Sequence, residues 1–287
     1  MTPTKPFPVP VVQAHVGPGS HDDEAPAYLP MPQGMQTYHP PVLPEPEDLA
    51  AHRGCVAVLR EVLAALRRPD AMHDTRVVAL DGLDEADRTL LNQVLGEGEV
   101  AAQVLGERAL RAQESVFAGV WRVVHLAGGQ VRHDTLEVGA IPQALVDAAQ
   151  EDGAQRRAPF ADAPEGVMNA PALLTELDDH RRRWQPGAEP HVVNLTLLPL
   201  SEGDSRHLDA QLGAGRVLIL SRGYGNCRIT NTRLMHTWRV TYFNSTDINI
   251  LDTLEVCRVP EVACAAREDL EDSAERLAEV LDWVQAA

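Results

Sequence analysis

Apolar residues recur along this chain with two periods, which predict an ordered series of helices and strands. From Glu47 to Arg68 they recur every three or four positions, as in an amphipathic helix that ends before Pro69. Asp84 and Gly96 have the residue types that begin and end a second helix. Aliphatic and β-branched runs predict strands at 76–80, 100–105, 119–126 and 131–138.

The chain also resembles itself at one fixed separation. Trp121-Arg-Val123 matches Trp238-Arg-Val240, 117 positions later. After one inserted residue, Asp134-Thr-Leu-Glu-Val138 matches Asp252-Thr-Leu-Glu-Val256. Because chance does not hold one register that long, we expect two copies of one unit, each ordered helix, strand, helix, several strands, helix.

Short turns between the later strands predict antiparallel pairing, with the helices on one face of each sheet. The expected fold class is α+β, with two tandem duplicated two-layer α/β sandwich domains and mainly antiparallel sheets. The predicted divisions are a Pro-rich leader at 1–47, a first repeat domain at 48–150, a linker at 151–168 and a second repeat domain at 169–287.

The amino-acid composition argues against several classes of function. The chain has 42 Asp and Glu against 25 Lys and Arg, a net charge of −17, so it has no general attraction for nucleic acid or anionic lipid. No apolar run approaches the roughly 20 residues that span a bilayer, and no signal pattern begins the chain, so we expect a cytoplasmic protein. Aromatic residues are 4% of the chain, so aliphatic side chains must build the core around its four tryptophans, Trp121, Trp184, Trp238 and Trp283.

The leader differs in composition from the rest of the chain. Twelve of the 21 prolines fall within the first 46 residues, which predicts a largely disordered segment. Met35 and Tyr38, however, give it more apolar content than a solvated tail requires. A short extended segment that docks on a partner is therefore the second interpretation.

The duplication serves as an internal control, because features that both copies share are more often scaffold. The second copy alone has the string Ser221-Arg-Gly-Tyr-Gly-Asn-Cys-Arg228. Its glycines permit a tight turn, and its planar and hydrogen-bonding side chains are of the kind found at protein interfaces. The candidate partner-binding residues are Arg222, Gly223, Tyr224, Gly225, Asn226, Cys227 and Arg228, together with Met35 and Tyr38. The sequence nominates no catalytic residue, cofactor or closed metal site.

Cys227 allows two interpretations. Strand alternation with Ile229 favours a buried and inert thiol. Nearby guanidinium groups would instead favour a reactive thiolate, and with it a thiol redox or iron-sulfur or metal carrier that uses Cys227.

Several segments also carry a family resemblance. Val193-Asn-Leu-Thr-Leu-Leu-Pro-Leu200, Ser221-Arg-Gly-Tyr-Gly-Asn-Cys-Arg-Ile229 and Tyr242-Phe-Asn-Ser-Thr-Asp247 resemble the C-terminal domain of the HupH/HyaF hydrogenase expression proteins. The resemblance implies a non-enzymatic, cytoplasmic accessory protein for membrane-bound uptake [NiFe]-hydrogenase. It further implies binding to the immature iron-sulfur small subunit before twin-arginine export, alongside a thioredoxin-like chaperone.

Overall fold

The computed structural model describes residues 49, 51–155, 160–223 and 225–286, and its two halves repeat one order of elements. The first half contains α1 (Arg53–Leu66), β1 (Arg76–Ala79), α2 (Glu85–Leu95), β2 (Val100–Val104), β3 (Leu110–Glu114), β4 (Val120–Ala127), β5 (Gln130–Val138) and α3 (Gln143–Ala154). The second half contains α4 (Ala170–Arg183), β6 (His191–Asn194), α5 (Glu202–Leu212), β7 (Ala214–Ser221), β8 (Asn226–Thr232), β9 (Thr237–Phe243), β10 (Asn249–Val256) and α6 (Arg267–Ala286). Short 3-10 helices lie at Leu195–Leu197 and Glu261–Ala263.

The ten strands form one antiparallel sheet in the order β1-β5-β4-β3-β2-β7-β8-β9-β10-β6. The order of the strands within each half is therefore mirrored across the junction of β2 and β7. Ala102 pairs with Ile219 at the middle of that junction, and these two residues are themselves 117 positions apart. The junction is thus centred on a residue and its own sequence counterpart.

The sequence correctly predicted the α+β class and the antiparallel pairing, but the expectation of two separate sheets was wrong. Had each half kept its own sheet, β2 and β7 would both be exposed edges with unpaired N–H and C=O groups. Their pairing satisfies these groups and joins the halves into one sheet. Periodicity within one strand cannot reveal which other strand lies beside it.

Helices cover both faces of the sheet, so the expected two-layer arrangement, with helices on one face only, was wrong. Leu136 and Val138 of β5 belong to the apolar cluster beneath α1 and α2, and Glu137 between them points to the other face. There the Glu137 carboxylate accepts a hydrogen bond from the N–H of Gln143, at the start of α3. Trp121 and Trp238 are buried in a central cluster on this second face.

Each half ends in a helix that packs on the other half. α3 contacts β7 and β8, while α6 contacts α1. The Asp152 carboxylate of α3 accepts hydrogen bonds from Arg216 Nε at 2.7 Å and Asn231 Nδ2 at 3.0 Å. In return, Leu270 and Leu277 of α6 are buried in the core of the first half. The two cores are therefore completed reciprocally.

The structure confirms some of the local predictions made from the sequence and corrects others. The Asp84 side chain accepts a hydrogen bond from the N–H of Asp87 and caps α2, as predicted. Trp283, expected in the core, is 46% exposed because it lies on the outer face of α6. β3 was not predicted, and α3 continues to Ala154, inside the segment expected as linker.

Because the last helix of each half packs on the other half, we expect the two halves to unfold together. Leu277→Ala removes a fully buried side chain of α6 from the core of the first half, and we expect a loss of about 2–5 kcal/mol in the free energy of unfolding. Urea unfolding followed by circular dichroism and by tryptophan fluorescence should still give one shared midpoint. The exposed neighbour Glu279→Ala is the control, expected within about 0.5 kcal/mol of wild type. Two separate transitions in the wild-type protein would contradict the account.

Candidate functional site

Three surface segments of the second half meet at one end of the sheet. They are the β7–β8 turn, the β9–β10 turn and the 3-10 helix that follows β6. Because β7, β8, β9, β10 and β6 are consecutive neighbours, these segments lie side by side over about 19 Å. We call this surface, formed by residues 195–197, 222–223, 225–226 and 243–250, the second-half rim.

The β7–β8 turn is held against the first half. The N–H of Arg222 donates to the carbonyl oxygen of Glu99 at 3.1 Å, which extends the β2–β7 pairing by one residue. A side chain at position 223 would meet the Glu99 carboxylate, which lies at the end of an exposed side chain and would have to move away. Gly225 has φ +99°, a conformation that residues with a side chain rarely adopt. Arg222 is exposed, and Tyr224 lies outside the described residues.

The start of β8 contributes polar side chains to the rim. Asn226 pairs with Phe243 of β9 and is partly exposed. The Arg228 guanidinium lies 5.4 Å from the centre of the Phe243 ring, a cation–π arrangement that fixes the arginine over β9.

Cys227 points to the opposite side and is fully buried, next to Ile229, in the central cluster. Strand alternation therefore predicted its position correctly. Burial raises the pKa of the thiol to about 11, so the protonated form dominates at neutral pH. The side chain supports the turn from beneath, and it is not placed to contact a partner directly.

The β9–β10 turn is stiffened by a single asparagine. The Asn244 carboxamide oxygen accepts hydrogen bonds from Thr246 N at 2.9 Å, Ile248 N at 3.0 Å and Thr246 Oγ1 at 2.8 Å. Asp247 adopts φ +60°, which aspartate tolerates better than most residues. The run Phe243-Asn-Ser-Thr-Asp247 therefore supplies the residues that this particular turn conformation requires.

The 3-10 helix is locked to the sheet in a similar way. Asn194 Oδ1 accepts a hydrogen bond from Thr196 N at 3.0 Å, and Thr196 Oγ1 accepts one from Asp252 N at 2.8 Å. These bonds hold Leu197 outward, with 79% of its surface exposed.

Exposed aliphatic side chains complete the rim. Leu197, Ile248 and Ile250 are 79%, 61% and 56% exposed and come from neighbouring segments. Clusters of large exposed apolar groups often mark interaction surfaces. Sequence patterns did not identify these residues, although two isoleucines beside a polar turn are a usable signal.

A buried carboxyl group lies on β3 of the first half, two strands from β7. Glu114 is 7% exposed, and its Oε1 accepts a hydrogen bond from Gly119 N at 3.1 Å. Burial raises its pKa to about 7, with further contributions from Glu99 and Asp269. Glu99 therefore links this carboxyl electrostatically to the β7–β8 turn.

The corresponding end of the first half has a different surface. Its β2–β3 turn spans residues 105–109, and its β4–β5 turn is the tight pair Gly128-Gly129. Together they border a shallow cleft. Arg108 and Val131 are exposed there, Val131 to 60%, and supply matched controls for the second-half rim.

Other candidate sites can now be placed. Met35 and Tyr38 lie outside the described residues. Within the described ranges, one group of side chains has metal-ligand geometry, Glu176, His180 and His191, and it lies away from the rim on α4 and β6. No helix in the described part of the chain is long and apolar enough to cross a membrane.

Comparison with known proteins gives a consistent answer. The model of the HupH hydrogenase expression protein C-terminal conserved region matches residues 54–164 and again 167–284. The chain belongs to the HupH family. The second match contains the whole second-half rim, and the first contains its counterpart.

Relatives within the HupH family match nearly end to end. The hydrogenase expression/formation protein HoxQ of Cupriavidus necator is 53% identical, over 97% of this chain and 98% of its own length. HupH of Rhodobacter capsulatus is 48% identical, over 94% and 96%. The hydrogenase-1 operon protein HyaF of Escherichia coli is 35% identical, over 95% and 96%. A solved structure of HupH from Thiobacillus denitrificans is 31% identical, with a TM-score of 0.36, over 40% of this chain and 93% of that chain.

Because Cys227 is buried, we expect its thiol to react slowly with alkylating reagents. We expect iodoacetamide at pH 8 to leave Cys227 unmodified in the native protein and to label it fully in denaturant, as mapped by mass spectrometry. Rapid labelling of Cys227 in the native state would contradict the structure.

The raised pKa of Glu114 predicts a pH-dependent stability. The folded-state pKa of about 7 exceeds the usual 4.5, so the native state binds more protons than the unfolded state between these values. Stability from this group therefore falls as pH rises through that window. Glu114→Gln should be more stable than wild type at pH 8 by at most about 3 kcal/mol, and the difference should shrink toward pH 4.5. Denaturant unfolding at both pH values measures it, and a constant difference would contradict the assignment.

Proposed function

We propose that this protein acts in the maturation of membrane-bound uptake [NiFe]-hydrogenase and binds the immature iron-sulfur small subunit through the second-half rim. The observation that carries the proposal is the convergence of three separate segments into one exposed surface with aliphatic, amide and arginine groups. The names of its relatives, which are hydrogenase expression and operon proteins, support the process.

The composition of the rim suits a protein partner. Leu197, Ile248 and Ile250 offer apolar area, while Arg222 offers a guanidinium group able to bind carboxylates or backbone carbonyls. Because the chain carries a net charge of −17, a partner is not attracted by bulk positive charge. Recognition then depends on these local groups, and the preformed turns reduce the entropy lost on binding.

In this proposal the protein binds its partner without catalysing a reaction. Binding takes place in the cytoplasm, before the partner is exported. The leader segment around Met35 and Tyr38, and a thioredoxin-like hydrogenase chaperone as a further partner, belong to the same proposal. The alternative, a thiol redox or metal carrier at Cys227, has less support because that thiol is buried and protonated.

We further infer that the two halves arose by tandem duplication. Each contains a partly buried ion pair at equivalent positions of neighbouring strands, Arg122 with Asp134 at 2.5 Å and Arg239 with Asp252 at 2.6 Å. Each tryptophan before these arginines donates a hydrogen bond from Nε1 to a backbone carbonyl, of Gly139 or of Arg258. The twofold match of one family model supports the same origin.

The proposal predicts that changes on the rim weaken capture of the partner. Tagged full-length protein should retain the small-subunit precursor in a pull-down, and Arg222→Ala or Tyr224→Ala should reduce retention at least about tenfold, as expected for an interface hot spot. Ile248→Ser should act in the same direction because it removes exposed apolar contact area.

Equivalent changes at the other end of the sheet provide the controls. Arg108→Ala and Val131→Ser alter an exposed arginine and an exposed aliphatic residue in the first half. Both should retain the precursor at the wild-type level. Equal loss in rim and control variants, or no loss in either, would refute the assignment of the rim.

A further inference from the structure

A second surface feature of the second half, distinct from the rim, brings two histidines and a glutamate together. Glu176 and His180 belong to α4, and His191 begins β6. Their candidate ligand atoms all lie within 4.8 Å of one another. His191 Nε2 lies 2.8 Å from Glu176 Oε1, and the two imidazole rings stack in parallel with centroids 3.4 Å apart.

The fold fixes this arrangement through neighbouring core residues. Glu176 and His180 are four positions apart, so they share one face of α4, while Leu174 and Leu177 anchor the helix in the core. His191 pairs with Val256 of β10, and Val193, on the same side of β6 as His191, is buried beneath the helices. The three side chains therefore come from two elements that one apolar cluster holds together.

We propose that Glu176, His180 and His191 bind one divalent transition-metal ion of the zinc type. Two imidazole nitrogens and a carboxylate oxygen form a ligand set that such ions prefer. Ligands of a tetrahedral zinc ion bound at about 2.1 Å are roughly 3.4 Å apart, close to the spacing of the observed ligand atoms. Because an imidazole nitrogen binds a metal in the plane of its ring, the two stacked rings must rotate out of their parallel arrangement to share one ion. Three protein ligands leave a fourth position for water or for a group from a partner.

Neighbouring charges permit a cation at this place. Arg181, Arg182 and Arg183 follow His180 on α4, but each is paired within the helix. Arg181 and Arg182 contact Asp178 at 2.5 and 2.6 Å, and Arg183 contacts Asp179 at 2.7 Å. These aspartates offset most of the local positive charge, and Glu176 adds a further negative charge.

The first half offers a natural contrast. Arg76 of β1 pairs with Val138 in the register that His191 adopts with Val256. A guanidinium group has no lone pair available for a metal. The proposed site therefore belongs to the second half, as the rim does, although it rests on different residues and does not depend on the proposed function.

The test is competition for Zn²⁺ between the full-length protein, first stripped with a chelator, and a chromophoric chelator. We expect His180→Ala/His191→Ala to lose one tight equivalent of Zn²⁺ relative to wild type, and Glu176→Gln to bind that equivalent at least about tenfold more weakly. The control is His125→Ala/His133→Ala, which removes another neighbouring histidine pair, with ring centroids 6.4 Å apart, and should keep the wild-type number of equivalents.

Thermal unfolding separates binding from misfolding. Zn²⁺ should raise the Tm of wild type and of the control but not of His191→Ala, whose metal-free Tm also reports whether it folds. If His191→Ala fails to fold, the Glu176→Gln titration decides the question, because that change is on an exposed side chain. Equal zinc binding by wild type and Glu176→Gln, together with an unchanged number of equivalents in the double variant, would overturn the proposal.

Discussion

The antiparallel pairing of β2 with β7 is the contact on which the rest of the molecule depends. It converts two open sheet edges into the interior of one ten-stranded sheet. It also brings α3 over β7 and places α6 beside α1, so that each half completes the core of the other. The geometry is that of a symmetric dimer contained within one chain, which links the stability of the two halves.

The same pairing decides where the second-half rim and the corresponding first-half turns lie. Because β2 and β7 run in opposite directions, the turn after β7 and the turn after β2 emerge at opposite ends of the sheet, separated by about 26 Å of strand. The Glu99 carbonyl oxygen holds the backbone of Arg222, at the start of the β7–β8 turn, from across the junction. The first half thus positions a surface that the second half supplies.

Sequence patterns predicted the local structure but not how the helices and strands assemble. Alternation placed Cys227 and Ile229 in the core, and residue types identified the Asp84 cap, because both depend on nearby positions. The self-match identified two similar halves but could not show that β2 and β7 pair, since an edge strand and a central strand can share one pattern. β3 was missed because its alternation includes charged and amide side chains that other elements bury. The group of Glu176, His180 and His191 was not predicted, because His191 comes next to α4 only when the chain folds.

Hydrogen exchange of the full-length protein, alone and with the small-subunit precursor, tests the central claim most directly. The account predicts that the precursor slows exchange of backbone amides in residues 222–226 and 244–250, with little change at 105–109 and 128–131. Protection centred on the first-half end, or no protection at the second-half rim while the complex is formed, would contradict it.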